Sequence, residues 1–351
     1  MNESRLTGKT IPVLDGFRGL AILLVLCYHF EIIKSWGWMG VDLFFVLSGF
    51  LITRSLYPAN GLSPALYPYY RNRILRIVPA CFLSLLLIFI VVPLVWSGAD
   101  SPAYQILRKN QWYYWTFQTD IWYALDGFPA MVLLLPLWSL GVEAKFYLVW
   151  PYVTAGIRTG RYGARWLYLG VLVVMAIIIR SYAQSWLPAF EQVYRYVFFL
   201  CRLDAFAIGA ALYFVFSEGG RGVQNRWWGL IAAVIFLYFM GLFVSGNWNG
   251  HYSSNWIIYL GFTLIATGWA SLVLHTLQSN DFCNRLFQAK WLAAMGKYSY
   301  GIYVFHYPIW ILVHRIHLPA SLLLIIACLA TLLIGYLSYH LVEKPFLRLK
   351  Q

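Results

Sequence analysis

The chain has 351 residues, of which 61% are hydrophobic and only 11% charged, with a mean hydropathy of +0.65. That is far more apolar surface than a soluble core of this length buries, which excludes a water-soluble globular enzyme and implies a multi-pass membrane protein. The formal charge of +13 invites a nucleic-acid reading, but in a membrane chain basic residues first report sidedness, and no nucleic-acid partner is expected.

Ten spans are predicted in chain order, over 12–31, 38–56, 77–97, 136–157, 166–183, 196–216, 227–245, 256–277, 298–315 and 320–341. The polar stretches between them leave no room for a separate soluble domain, so residues 1–351 are read as one all-α membrane bundle. The first run ends in "LCYHFE" rather than a small-x-small cleavage pattern, which makes it a retained span and not a signal peptide. With the N-terminus inside, the cytoplasmic segments hold 17 of the 26 Lys and Arg against six on the other face, which places both termini in the cytoplasm. Neither a 20-to-50-residue repeat nor a transporter-like half-symmetry is visible. Cys27, Cys81, Cys201, Cys283 and Cys328 are odd in number and scattered, which fits neither a disulfide framework nor a zinc site, and no metal is expected.

Buried charges are the best clues, because each costs at least ~2.5 kcal/mol at the centre of a membrane helix. In span one, "DGFRGLAILLVLCYHF", Arg18 and His29 are three helical turns apart on one face, about 16 Å along the axis. Asp15 shares that face and is placed to pair with Arg18. The structural alternatives are a snorkelling anchor for Arg18 and a packing histidine for His29. At the entry to span three, "YRNRILRIVP" sets Arg71, Arg73 and Arg76, with Arg54 across the loop. The positive-inside rule accounts for them, and so does a phosphate site on the face shared by Arg73 and Arg76 beside a helix N-terminus.

The long outer segment from Ser97 to Phe128 is rich in Trp and Tyr. It reads as an interfacial aromatic belt with a short surface helix, or as a platform on which sugar rings stack. Span four, "PLWSLGVEAKFYLVWP", places Glu143 and Lys145 two turns in from the outer face, near the depth of His29. Glu143 is there suited to orient or charge-tune an imidazole. The two residues point in different directions on a helix, so Lys145 is expected to reach another span or the outer interface instead. Arg202 and Asp204 in span six, and Tyr303 and His306 in span nine, are either helix-helix hydrogen-bonding groups or the lining of a cavity. No Gly-x-Ser-x-Gly, P-loop, His-Glu-x-x-His or Cys-x-x-Cys motif competes.

Taken together these segments resemble the membrane acyltransferase-3 family. "LDGFRGLAILLVLCYHF" is similar to its Arg-x10-His first span, "YRNRILRIVP" to its Arg-x-x-Arg segment and "LWSLGVEAKFYLVWP" to its Trp-Ser-Leu-x-x-Glu-x-x-Phe-Tyr stretch. "GWMGVDLFFVLSGFLIT", "RLDAFAIGAAL", "YSYGIYVFHYPI" and "YHLVEKPFL" follow in the family order. Ala144 and Lys145 depart from the acidic or polar residues usual there.

The resemblance implies a bacterial inner-membrane enzyme that moves an acyl group, normally acetyl, from acetyl-CoA to a hydroxyl of a surface carbohydrate such as O-antigen or exopolysaccharide. Joined to the predicted topology, it leads to the hypothesis that Arg73 and Arg76 hold CoA phosphates with Arg71 nearby, His29 acts as general base or acyl carrier, Glu143 orients it or relays its proton, and Arg18 positions the donor or stabilises developing charge. Asp15, Arg202, Asp204, Tyr303 and His306 would then belong to the substrate cavity. The rival readings are a transporter or flippase of a lipid-linked glycan, a silent assembly scaffold, and acylation of a small glycoside such as a macrolide.

Overall fold

The computed structural model describes residues 11–57, 63–95, 100–129, 133–159, 162–186, 191–217, 225–254 and 256–349. Among these residues every regular element is helical. α1 is Pro12–His29, α2 Met39–Leu56 and α3 Ser63–Leu86, which a π-helical turn, Leu87–Val91, carries on to Val95. Three short helices follow, α4 Pro102–Lys109, α5 Trp112–Trp115 and α6 Thr119–Asp126, and then α7 Trp138–Thr159 and α8 Tyr162–Trp186. The remainder are α9 Glu191–Val197, α10 Leu203–Ser217, α11 Asn225–Val244, α12 Phe262–Gln278, α13 Phe282–Phe287, α14 Lys290–Val313, α15 Ala320–Leu337 and α16 Lys344–Arg348.

Among the described residues, eight helical segments are long and apolar enough to cross a membrane, and each overlaps a predicted span. The other two predicted spans also fall in long helices, α7, which carries Glu143 and Lys145, and α14, which carries His306 and, ahead of the predicted span, Lys297. Span three differs most: a helix expected from residue 77 starts at Ser63, about four turns earlier. The polar run "YPYYRNR" hides that extension from a hydropathy reading. Arg71, Arg73 and Arg76 therefore sit along a helical shank and not at a helix N-terminus, so the dipole part of the phosphate argument lapses. Arg5, Lys9, Arg161, Arg221 and Lys350, which enter the sidedness count, lie outside the described residues.

The chain divides into two compact units. The first comprises Met1–Ala59, Tyr152–Tyr182 and Leu200–Ser299. α1 begins with proline at its first position, where the missing N–H is not needed. It ends at His29, and the Phe30 N–H returns to the Leu26 carbonyl at 2.8 Å. α2 packs on α10 through reciprocal glycines: a Cβ on Gly49 would stand 2.2 Å from the Phe206 carbonyl oxygen, and one on Gly209 would stand 2.1 Å from that of Val46. Lipid is as apolar as leucine, so helix association in a bilayer relies on such close backbone approach. Gly209→Ala is expected to cost about 1–3 kcal/mol through overpacking, read as a lower thermal midpoint of the protein in detergent.

The second unit comprises Asn60–Pro151, Ala183–Phe199 and Tyr300–Gln351. Here α3 is pinned to α7 by two tyrosine hydroxyls, Tyr69 donating to the Tyr147 carbonyl at 3.2 Å and Tyr70 to that of Leu148 at 2.9 Å. Aromatic contacts organise the short helices α5 and α6: the Tyr114 and Tyr123 hydroxyls hydrogen-bond at 2.6 Å, and Tyr113 stacks on Trp122.

Candidate functional site

In the first unit, the α1 stripe forms as its spacing requires. Arg18 Nη1 donates to Asp15 Oδ1 at 2.8 Å, with both side chains partly exposed. His29 is the last residue of α1, half-buried, with its ring edge-on to Tyr28 at 5.3 Å.

Arg202 and Asp204 lie in a buried lattice of ion pairs. Arg202 Nη2 donates to Asp42 Oδ1, and its guanidinium rests 4.1 Å from the Phe262 ring centre. Arg180 Nη2 donates to Asp204 Oδ2 and to Thr263 Oγ1, each at 2.9 Å, and the Thr263 hydroxyl donates to the same Asp204 oxygen at 2.5 Å. Asp42, Arg180, Arg202 and Asp204 are all at most 1% exposed. Their place is thus among packed helices, and none of them lines the apolar cavity of about 340 Å³ bordered by Leu20, Leu24, Trp36, Phe236 and Trp269. Sequence reasoning missed Asp42 and Arg180, although a lone carboxylate inside "GWMGVDLFFVL" was a visible signal.

The second unit holds a polar cluster of its own. The Arg73 guanidinium lies between two phenol rings, 5.6 Å from the centre of Tyr69 and 5.4 Å from that of Tyr147, a cation–π arrangement. The Tyr147 hydroxyl in turn donates to Glu143 Oε1. Arg76 and Glu143 are both within electrostatic reach of Arg73 and Tyr147, and Arg76 also reaches Glu343 and Tyr300. Glu143 was expected near the outer face and Arg73 at the inner one; the structure instead sets the carboxylate and both arginines in one cluster. Arg71 stands apart from it and donates to the Leu349 carbonyl at 2.7 Å, holding the C-terminal segment.

Tyr303 is buried one turn from His306. Its hydroxyl is 2.5 Å from that of Ser139 and donates to the Pro136 carbonyl at 2.8 Å, and Glu143 is within its electrostatic reach. The His306 ring is fully buried, with Nδ1 2.7 Å from the Tyr303 carbonyl oxygen, so it caps its own helix turn. A cavity of about 320 Å³ opens beside Arg73 and Tyr147, bordered also by Ile77 of α3, by Phe117 and Gln118 between α5 and α6, and by Lys145 of α7.

Lys145 has its expected partner off the helix. Nζ donates to Asp120 Oδ1 at 2.5 Å and to the Phe117 carbonyl at 3.0 Å. Asp120 is fully buried; burial pushes its carboxyl above the usual carboxylate range, and Lys145 counteracts this.

Among the described residues, one group has metal-ligand types within 4.8 Å of one another: His275, Asp281 and Cys283. Asp281 caps α13, accepting from the Asn284 N–H at 3.1 Å and the Ser279 hydroxyl at 2.9 Å, while its other oxygen faces His275 Nε2 at 2.8 Å. Burial works to raise its pKa, but these hydrogen bonds outweigh it and hold the carboxyl below the usual range.

A family profile described as an acyltransferase domain, acyltransferase-3, matches residues 11–340. Among curated proteins, the chain is 28% identical to YrhL of Bacillus subtilis, over 96% of this chain and 55% of that protein. It is 29% identical to the peptidoglycan O-acetyltransferase OatA of Listeria monocytogenes, over 97% and 56%, and 26% identical to the O-acetyltransferase OatA of Staphylococcus aureus, over 98% and 58%. The chain thus spans little more than half the length of these relatives. No solved structure matches it.

Proposed function

The chain belongs to the acyltransferase-3 family, and from that premise we propose that it transfers an acetyl group from acetyl-CoA to a hydroxyl of a cell-surface carbohydrate in the bacterial inner membrane. The observation that carries the reading is the family match over residues 11–340 on a chain whose Arg73, Arg76, Glu143 and Tyr147 form one cluster. The names of the OatA relatives support acetyl as the acyl group, and that from Listeria supports a peptidoglycan sugar ahead of an O-antigen as acceptor.

In this reading Arg73 and Arg76 hold the phosphates of the donor by charge-assisted hydrogen bonds. His29 takes the proton of the acceptor hydroxyl as its oxygen attacks the thioester carbonyl. The C–S bond breaks, and the departing thiolate recovers a proton to leave as free CoA. In the alternative route an imidazole nitrogen of His29 attacks first and carries the acetyl group to the acceptor. Arg18 positions the donor and offsets developing negative charge.

The test is a vesicle assay with isotope-labelled acetyl-CoA and a peptidoglycan glycan fragment. A product heavier by one labelled acetyl group is expected; glycan crossing the vesicle without gain of mass would make the chain a flippase. Replacing Arg73 and Arg76 together by alanine is expected to raise the KM for acetyl-CoA by at least roughly tenfold, the effect of losing one to two hydrogen bonds to a charged group. If only the orientation in the membrane changes, the arginines serve topology alone.

A further inference from the structure

A lysine within a long, largely apolar helix such as α7 is costly wherever that helix lies in lipid, and so calls for a partner or a task. We infer that Lys145 is a positioning residue: it clamps the Thr116–Gln118 turn onto α7 and so fixes one wall of the cavity beside Glu143. Three independent features meet at this clamp. The ammonium bridges the Asp120 carboxylate and the Phe117 carbonyl, so it binds the turn by side chain and backbone at once. Phe117 has φ +57, a left-handed conformation that an aromatic residue holds only when its surroundings impose it. Gly141, one turn before Lys145, lets the two chains close up, since a Cβ there would stand 2.8 Å from Asp120 Oδ1 and 2.9 Å from the Phe117 carbonyl oxygen.

The clamped turn is the cavity wall itself. Phe117 and Gln118 face Arg73 and Tyr147 across the same space, and Tyr147 holds Glu143. Losing the clamp frees the turn, exposes the cavity and leaves the donor cluster unwalled. The kinetic consequence rests on the acyltransferase reading above, whereas the geometric one does not.

The experiment uses the full chain in membrane vesicles of both orientations, in a Gln118→Cys background. A membrane-impermeant maleimide reports exposure of position 118, and peptide mass separates that adduct from the five native cysteines. Lys145→Met keeps the aliphatic stem and removes the charge. It is expected to speed labelling roughly tenfold, as loss of a charge-assisted hydrogen bond implies, and Lys145→Arg is expected to return it near the parent rate. Gly141→Ala, which pushes the turn off by bulk alone, is expected to give the same acceleration should Lys145→Met fail to accumulate. In the parent background without the added cysteine, Lys145→Met is expected to raise the KM for acetyl-CoA while the KM for the acceptor holds, and Lys145→Arg to restore it. Unchanged labelling in both Lys145→Met and Gly141→Ala overturns the clamp even where acetyl transfer proceeds. Faster labelling in a chain that transfers no acetyl group sustains the clamp and removes the proposed function instead.

Discussion

His29→Ala is expected to abolish O-acetylation while the protein stays in the membrane at its normal level. General-base catalysis contributes about 10²- to 10⁴-fold, and a histidine that also carries the acetyl group contributes the whole reaction path. The structural cost of the change is small by comparison. His29 is half-buried at the very end of α1, so its loss neither opens a deep cavity nor breaks a helix interior. Mass spectrometry of the acceptor glycan, beside an immunoblot of the membrane fraction, separates lost chemistry from lost protein. Retained acetylation would remove His29 from the reaction. Incubating the parent protein with labelled acetyl-CoA and no acceptor then decides the route: an acetylated peptide containing His29 marks the carrier, and its absence marks the base. Arg18→Ala is expected to lose less, because Arg18 acts on a charge that the rest of the site also meets.

The α1 stripe was legible because everything it needs lies within one helix. Asp15 and Arg18 are three residues apart, and helical periodicity alone brings them to 2.8 Å. The same rule set Lys145 apart from Glu143, but it could not name Asp120, 25 residues away, since that contact depends on how the segment carrying α5 and α6 folds back. Arg202 and Asp204 carried the opposite problem. Two residues apart, they make no direct ion pair with each other, and their ion-pair partners come from α2 and α8. Helix-helix hydrogen bonding and cavity lining were both open uses of such charges; the packing of α2, α8 and α10 supplies their counter-ions. The start of α3 was hidden for a local reason, since a run with Pro68, three tyrosines and two arginines is too polar to register as membrane helix although its backbone remains helical.

The second large effect follows from those counter-ions. Asp42→Ala leaves the Arg202 guanidinium, 0% exposed, without its carboxylate among apolar side chains. Breaking a buried pair from one side costs about 3–5 kcal/mol, a large part of the ~5–15 kcal/mol that keeps a typical domain folded. The variant is therefore expected to accumulate poorly and to melt well below the parent in detergent, followed by intrinsic fluorescence from the 17 tryptophans. Arg202→Met strands the Asp42 carboxylate and is expected to do the same. The double variant Asp42→Leu with Arg202→Met removes both charges at once and fills the space with apolar atoms. Such replacements are neutral or stabilising by roughly 1–4 kcal/mol in soluble proteins, so the double variant should recover the parent midpoint despite losing the contact with Phe262. Failure to recover would mean that the pair also answers to Arg180 and Asp204 and that the four charges act as one network. Recovery of stability without recovery of acetyl transfer would place the pair in the reaction itself, and recovery of both would make it a packing device.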